Sequence, residues 1–298
     1  MKIGFGAPVS GAWATPDNLG RFAESAEDLG YSSLWSFHRL LIPGGQPIDP
    51  VYRSVLDPLV ALAFAAARTS TIRLGVALIN LPFVSPTYVA KQASTLDVLS
   101  KGRLDLGLGA GWQEEEFIAT GASTARRGAR TVEYVQVLRT LWADGVSTFD
   151  GEFYTIPPSR MDPKPVQKPG PPMLLGGAVP AALARAGRIA DGWMSRSATN
   201  LDAISEQIAL VRAGAAEAGK DPSGVRVVVR GVGRPGERVG RLSGSFAQIK
   251  ADAEWLGEQG VTELFYDLNW DPLIGSPDAS EAAAAERAQE LLHSLKPA

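Results

Sequence analysis

The feature that most constrains this chain is a repeat of chemistry rather than of letters. Apolar runs of strand length alternate with amphipathic helical stretches almost from end to end. The strand-like runs are 2–9, 33–37, 72–79, 103–111, 173–177, 192–196, 226–233 and 263–268. They are rich in Val, Leu, Ile and Gly without strict alternation, the pattern of parallel strands covered on both faces. The stretches between them carry helix punctuation. In "TPDN" Thr15 suits the cap and Pro16 the first helical position; Leu19, Phe22, Ala23, Ala26 and Leu29 then line one face, and Gly30 stops the helix. Ser85, Pro86 and Gly102 repeat that design, and 276–295 reads as a closing helix. Eight strand–helix units in series predict an α/β fold, a (β/α)8 TIM barrel in one domain over 1–298. The competing doubly wound sheet calls for a glycine fingerprint at its first turn, and "GAPVSGAWATP" has none in register.

One connection is too long for a plain helix. Residues 112–172, between strands 4 and 5, read as an elaborated insertion: helical stretches near 113–121 and 124–143, a hairpin in "STFDGEFYTI" turning at Asp150-Gly151, and a proline-rich extended tether. Such an insertion suits a cover for a binding site or a dimer surface.

Composition removes several functions. The chain has no cysteine, which excludes disulfides, thiolate nucleophiles and cysteine metal sites, and its two histidines are far apart, so no metal site is expected. A net charge of -3 with no basic stripe speaks against nucleic acid. No apolar run approaches the ~20 residues of a membrane span, and the chain opens directly as a strand, so the expectation is a soluble cytoplasmic protein with no membrane partner.

Barrel enzymes work at the carboxyl ends of their strands. No lysine falls there, which disfavours Schiff-base chemistry, and no carboxylate cluster suits magnesium. The strand ends instead carry small and apolar residues, with His38, Arg39, Trp112, Ser195, Arg196, Arg230 and Asn269 among them. A pocket poor in catalytic acids suits a flat cofactor that brings its own reactivity. In "LLGGAVPAALARAG" a strand ends at Gly176-Gly177 and a helix starts near Val179-Pro180; its free N–H groups suit a phosphate, although a tight turn needing glycine explains the same letters.

Taken in order, "SLWSFHRLL", "LGVALINLPFVSPTYVAKQASTLDVLSKGRLDLGLGAGWQEEEFIATG", "RRGARTVEYVQVLRTLW", "GEFY", "PPMLLGG" and "RIADGWM" resemble the bacterial luciferase-like monooxygenase superfamily, most closely its branch using the deazaflavin coenzyme F420. The resemblance covers essentially the whole chain. It implies a barrel with the cofactor ring at the strand carboxyl ends and a bulged third strand whose Ala77–Leu78 peptide is cis. It implies that Gly109, Ala110, Gly111 and Trp112 line the cofactor and that Gly176, Gly177, Ala178 and Val179 hold its phosphate. It implies hydride transfer with F420, or monooxygenation with FMN fed by a separate reductase. A small-molecule substrate and a homodimer are implied as well, and a non-catalytic flavin-binding relative is the reading outside enzymology.

Relatives carry Asp-His at the spacing from Trp35 where this chain has His38-Arg39. His38 is the candidate acid/base or ring contact, against a loop residue satisfied by backbone. Arg39 is the candidate contact to an anionic substrate or cofactor, against a salt bridge to Asp49 or Asp57. Glu114, Glu115 and Glu116 read as helix-start charges that favour the dipole. Trp112 stacks near the ring or simply packs. Arg126, Arg127, Arg130 and Glu133 read as a helical charge run, and His293 as a surface residue of the last helix.

Overall fold

A computed structural model describes residues 1–45 and 47–297. Eight parallel strands close into a barrel: β1 (Lys2–Gly6), β2 (Ser33–Ser36), β3 (Arg73–Asn80), β4 (Leu104–Gly109), β7 (Met173–Gly176), β8 (Gly192–Met194), β9 (Arg226–Gly231) and β12 (Glu263–Tyr266). These are the eight runs seen in the sequence, shortened where their ends bend into loops. Two small pairs lie outside the barrel, the hairpin β5 (Ser147–Asp150) with β6 (Thr155–Ser159), and β10 (Arg234–Pro235) with β11 (Ser243–Gly244). The helices are α1 (Pro16–Asp28), α2 (Pro58–Arg68), α3 (Pro86–Leu99), α4 (Glu114–Thr120), α5 (Arg127–Trp142), α6 (Pro180–Ile189), α7 (Ile204–Glu217), α8 (Phe246–Glu258) and α9 (Glu281–Ser294).

Helix starts follow the letters. Thr15 accepts from the Asn18 N–H with Pro16 at the first helical position, Ser85 accepts from Thr87, and Ser245 with Gln248 forms a reciprocal capping box. Leu19, Phe22, Ala23 and Ala26 are the buried face of α1.

The barrel interior is layered. At the amino ends of the strands, Asp105 is fully buried and bonded by Arg73 and Arg226, while Glu263 takes Arg226, Ser33 and Trp35. Burial works against the Asp105 carboxylate, yet the hydrogen bonds from Arg73 and Arg226 outweigh it and hold its pKa below the ordinary range. Above this plug Trp35 stacks on Phe265 with centroids 5.2 Å apart. Gly75 makes room for that indole, since a Cβ there would lie 2.2 Å from the Trp35 ring. The layer nearest the carboxyl ends is Ala77 and Leu78, where the β3–β4 register shifts between Val76 and Ile79 and the Ala77–Leu78 peptide is cis.

The long connection holds α4, α5, the hairpin and an extended run back to β7. The hairpin reverses later than "DG" suggests: Asp150 pairs with Thr155, and Gly151 to Tyr154 form the loop. The cause is Glu133 of α5, whose buried carboxylate accepts from the backbone N–H groups of Glu152, Phe153 and Tyr154. A two-residue turn would leave that carboxylate with fewer donors.

Candidate active site

At the carboxyl ends of the strands lies a cavity of about 490 Å³, within the ~300–1,000 Å³ usual for small-molecule sites. Its lining includes His38, Arg39, Ala77, Leu78, Trp112, Ser195, Arg196 and Arg230, so eight of the residues singled out from sequence meet there. Its floor is Leu78. A Cβ on Gly176 would come within 2.3 Å of the Leu78 side chain, and one on Gly109 within 3.0 Å. The glycines ending β4 and β7 therefore let the bulge of β3 lie across the barrel mouth.

His38 leaves the end of β2 and is largely buried. Its Nδ1 accepts the backbone N–H of Asn80 at 3.3 Å, two residues beyond the bulge. That bond leaves the proton on Nε2. Burial pushes the His38 pKa below its ordinary 6.5, and the fields of Glu116 and Asp57 only partly oppose the shift. The side chain is thus a neutral imidazole whose free function is a hydrogen-bond donor.

Arg39 is 7% exposed and pairs with Glu116, Nη1 to Oε2 at 3.1 Å. Asp49 and Asp57, the partners expected from sequence, instead cap the turn at Val51 and helix α2. Glu116 is fully buried, so it is no helix-start charge facing water. Its other oxygen accepts from the N–H groups of Leu40 and Leu41 at 2.7 and 3.3 Å. The Arg39 guanidinium lies between the rings of Tyr52 and Trp112, at 4.3 and 4.6 Å from their centroids. Trp112 remains 60% exposed, one face on Arg39.

The opposite wall is built from the last two barrel strands. Arg230 of β9 is bonded through Nε to Asp267 at 2.6 Å, reaches the Ala77 carbonyl at 3.5 Å, and sits over Phe37 and Trp270. Asp267 in turn holds Asn269, whose amide donates to the Ala7 carbonyl and accepts from Val9, Ser10 and the Trp13 indole.

The remaining candidates lie around this cavity. Ala110 follows β4, and Gly111, at φ +71, packs against Phe83 and Phe117. Gly177, Ala178 and Val179 form the start of α6, where no side chain caps the helix and Val179 is 63% exposed. That start leaves backbone N–H groups open for an anion. Gly177 is also tied by its carbonyl to the Trp193 indole, and a Cβ on it would meet Ala182 at 2.5 Å, so it serves the strand-to-helix turn too. Tyr52, Asn80, Glu116 and Trp270 were not legible as site residues. No group of acidic or histidine side chains suited to a metal occurs among the described residues, and no helix among them is long and apolar enough to cross a membrane.

Comparison with known proteins places this geometry. Residues 3–233 match the family described as luciferase-like monooxygenase. An uncharacterised protein of Mycobacterium tuberculosis (strain ATCC 25618 / H37Rv) is 36% identical over 251 residues, covering 83% of this chain and 79% of that protein. An F420-dependent glucose-6-phosphate dehydrogenase of Kineococcus radiotolerans is 31% identical over 211 residues, 70% of this chain and 60% of that protein. Among solved structures, the monooxygenase RslO1 from Streptomyces bottropensis superposes with a TM-score of 0.81 at 23% identity, over 99% of this chain and 98% of that one.

Proposed function

Because the chain belongs to the luciferase-like monooxygenase family, whose members are oxidoreductases, we propose that it uses coenzyme F420 to move a hydride to or from a small organic substrate. The observation that carries this reading is the His38 donor, held neutral at the rim of a cavity whose floor is the Ala77–Leu78 bulge. The residues fit such a cofactor. Leu78 offers a flat apolar floor, Trp112 and Trp270 supply aromatic walls, and the uncapped start of α6 at Ala178 and Val179 suits a phosphate. When bound, F420 supplies a hydride-carrying ring carbon that reacts poorly with oxygen. His38 then directs Nε2–H to the oxygen of a substrate carbonyl and polarises it, while the proton that completes the alcohol comes from solvent. With its Nδ1 engaged by Asn80, His38 is better suited to this donor role than to that of a base.

The F420-dependent relative from Kineococcus supports the cofactor assignment. Titration of the purified protein with F420 and with FMN tests it. F420 binding at micromolar concentration or below is expected. Preference for FMN would make the protein a monooxygenase that needs a separate reductase, and binding of neither would sink the reading. Cofactor binding with no turnover across a broad panel would leave a non-catalytic flavin-binding protein.

We further propose a cytoplasmic homodimer. Val60, Phe64 and Tyr88 on the packed pair α2 and α3 are 69, 40 and 71% exposed, an apolar face suited to a second copy. Light scattering of wild type and V60D/F64D checks the dimer, and cell fractionation checks the compartment.

A further inference from the structure

A second cavity of about 420 Å³ opens beside the first, between the loops that follow β8 and β9. The two share Ser197, Ala198 and Arg230, so they form one continuous groove. Its charge is one-sided. Five arginines line the pair of cavities (Arg39, Arg196, Arg230, Arg234 and Arg241) against a single carboxylate, Asp202. The chain as a whole carries a net charge of -3, so this mouth is a local inversion. Three of the arginines are neutralised, Arg39 by Glu116, Arg230 by Asp267, and Arg241 by Asp202 and Asp252. Arg196 and Arg234 have no carboxylate partner among the described residues. Two buried donors also lack an acceptor, Arg39 Nε and the Trp270 indole N–H, both on residues of the groove. A buried donor without a hydrogen-bond acceptor is uncommon enough to call for a ligand.

We infer that the groove formed by the two cavities holds an anion subsite for the substrate, where a carboxylate or phosphate meets Arg196 of the first cavity and Arg234 of the second, with Arg230 at the junction. The inference rests on the oxidoreductase reading and narrows it. The reacting carbonyl or alcohol lies near His38, and the anionic group of the same molecule lies where the two cavities meet. The start of α6, proposed above for the cofactor phosphate, lines neither cavity, so the two anions have separate places.

Calorimetric titration of the cofactor-free protein with inorganic pyrophosphate tests this without turnover. Binding is expected in the millimolar range or tighter, weakening as salt rises. The R196A/R234A variant removes two exposed side chains that hold no internal carboxylate, and should lower affinity about tenfold or more. K250E, which also lowers the net charge by two but lies away from the groove, should leave it unchanged. No binding, or equal binding by R196A/R234A, would overturn the subsite. A second titration compares F420 with its tailless, phosphate-free deazaflavin core. If R196A/R234A weakens only the tailed form, the groove belongs to the cofactor and the substrate assignment falls. If pyrophosphate binds as expected while neither F420 nor FMN binds, the oxidoreductase reading fails and the anion site stands.

Discussion

Replacing Glu116 by Gln probes the hidden half of the site. Glu116 is fully buried, and its two oxygens do different work. Oε1 holds the Leu40 and Leu41 N–H groups, and Oε2 faces Arg39 at 3.1 Å. Glutamine keeps the first function through its carbonyl and loses the charge that balances Arg39. Breaking one side of a buried pair costs about 3–5 kcal/mol, because the remaining charge is stranded. Arg39 keeps its faces on Tyr52 and Trp112, each contact of this kind being worth about 0.5–2 kcal/mol, so the lower end near 3 kcal/mol is expected. R39M should cost a similar amount, since it strands Glu116. The double variant R39M/E116Q strands neither, and should be only about 1 kcal/mol below wild type, leaving a coupling of several kcal/mol. Urea unfolding followed by tryptophan fluorescence measures all four proteins. If E116Q unfolds within 1 kcal/mol of wild type, or if the two single losses simply add, about as for independent sites, then the pair does not hold this wall together.

Further outcomes follow from the same geometry. H38A should lower kcat by about 10²–10³ while F420 affinity stays within a fewfold, and H38Q, which keeps an N–H donor, should fall between, by stopped-flow and equilibrium titration. Because burial lowers the His38 pKa, the neutral form persists below pH 6.5, and activity should fall on the acid side only below that value. The linked stability has the same sign: it is complete above 6.5 and is lost as the pH drops from there through the lower folded value, which H38A should flatten in urea midpoints against pH. G176A forces the Leu78 side chain from its seat, and should cost about 1–3 kcal/mol and weaken cofactor binding more than H38A does.

Much of the barrel was legible because strand and helix signals are local. All eight strands, the caps at Thr15 and Ser85, and the terminal helix could be read from neighbouring letters. His38 and Arg39 were placed at the rim by position alone. The partners of these residues were not legible. Glu116 sits in a run of three glutamates, and nothing in "EEE" marks which one turns inward to meet a residue 77 positions earlier, from 39 to 116. Arg230 and Asn269 stood out at strand ends, but their network joins positions up to 262 residues apart. The hairpin turn was displaced by Glu133, an acceptor on another element. Each miss is a long-range polar contact, which local pattern does not encode.

Asn269 has a consequence for how the protein comes into being. Its amide organises the segment from Ala7 to Trp13, which is made more than 250 residues before it. During synthesis that segment has no such anchor until the chain has grown more than 250 residues past it. The early strands and helices can begin to pack as they leave the ribosome. The ligand-binding mouth is finished only when the final strand docks beside the first, so a nascent or carboxyl-truncated chain should hold much of its secondary structure and yet be unable to bind cofactor.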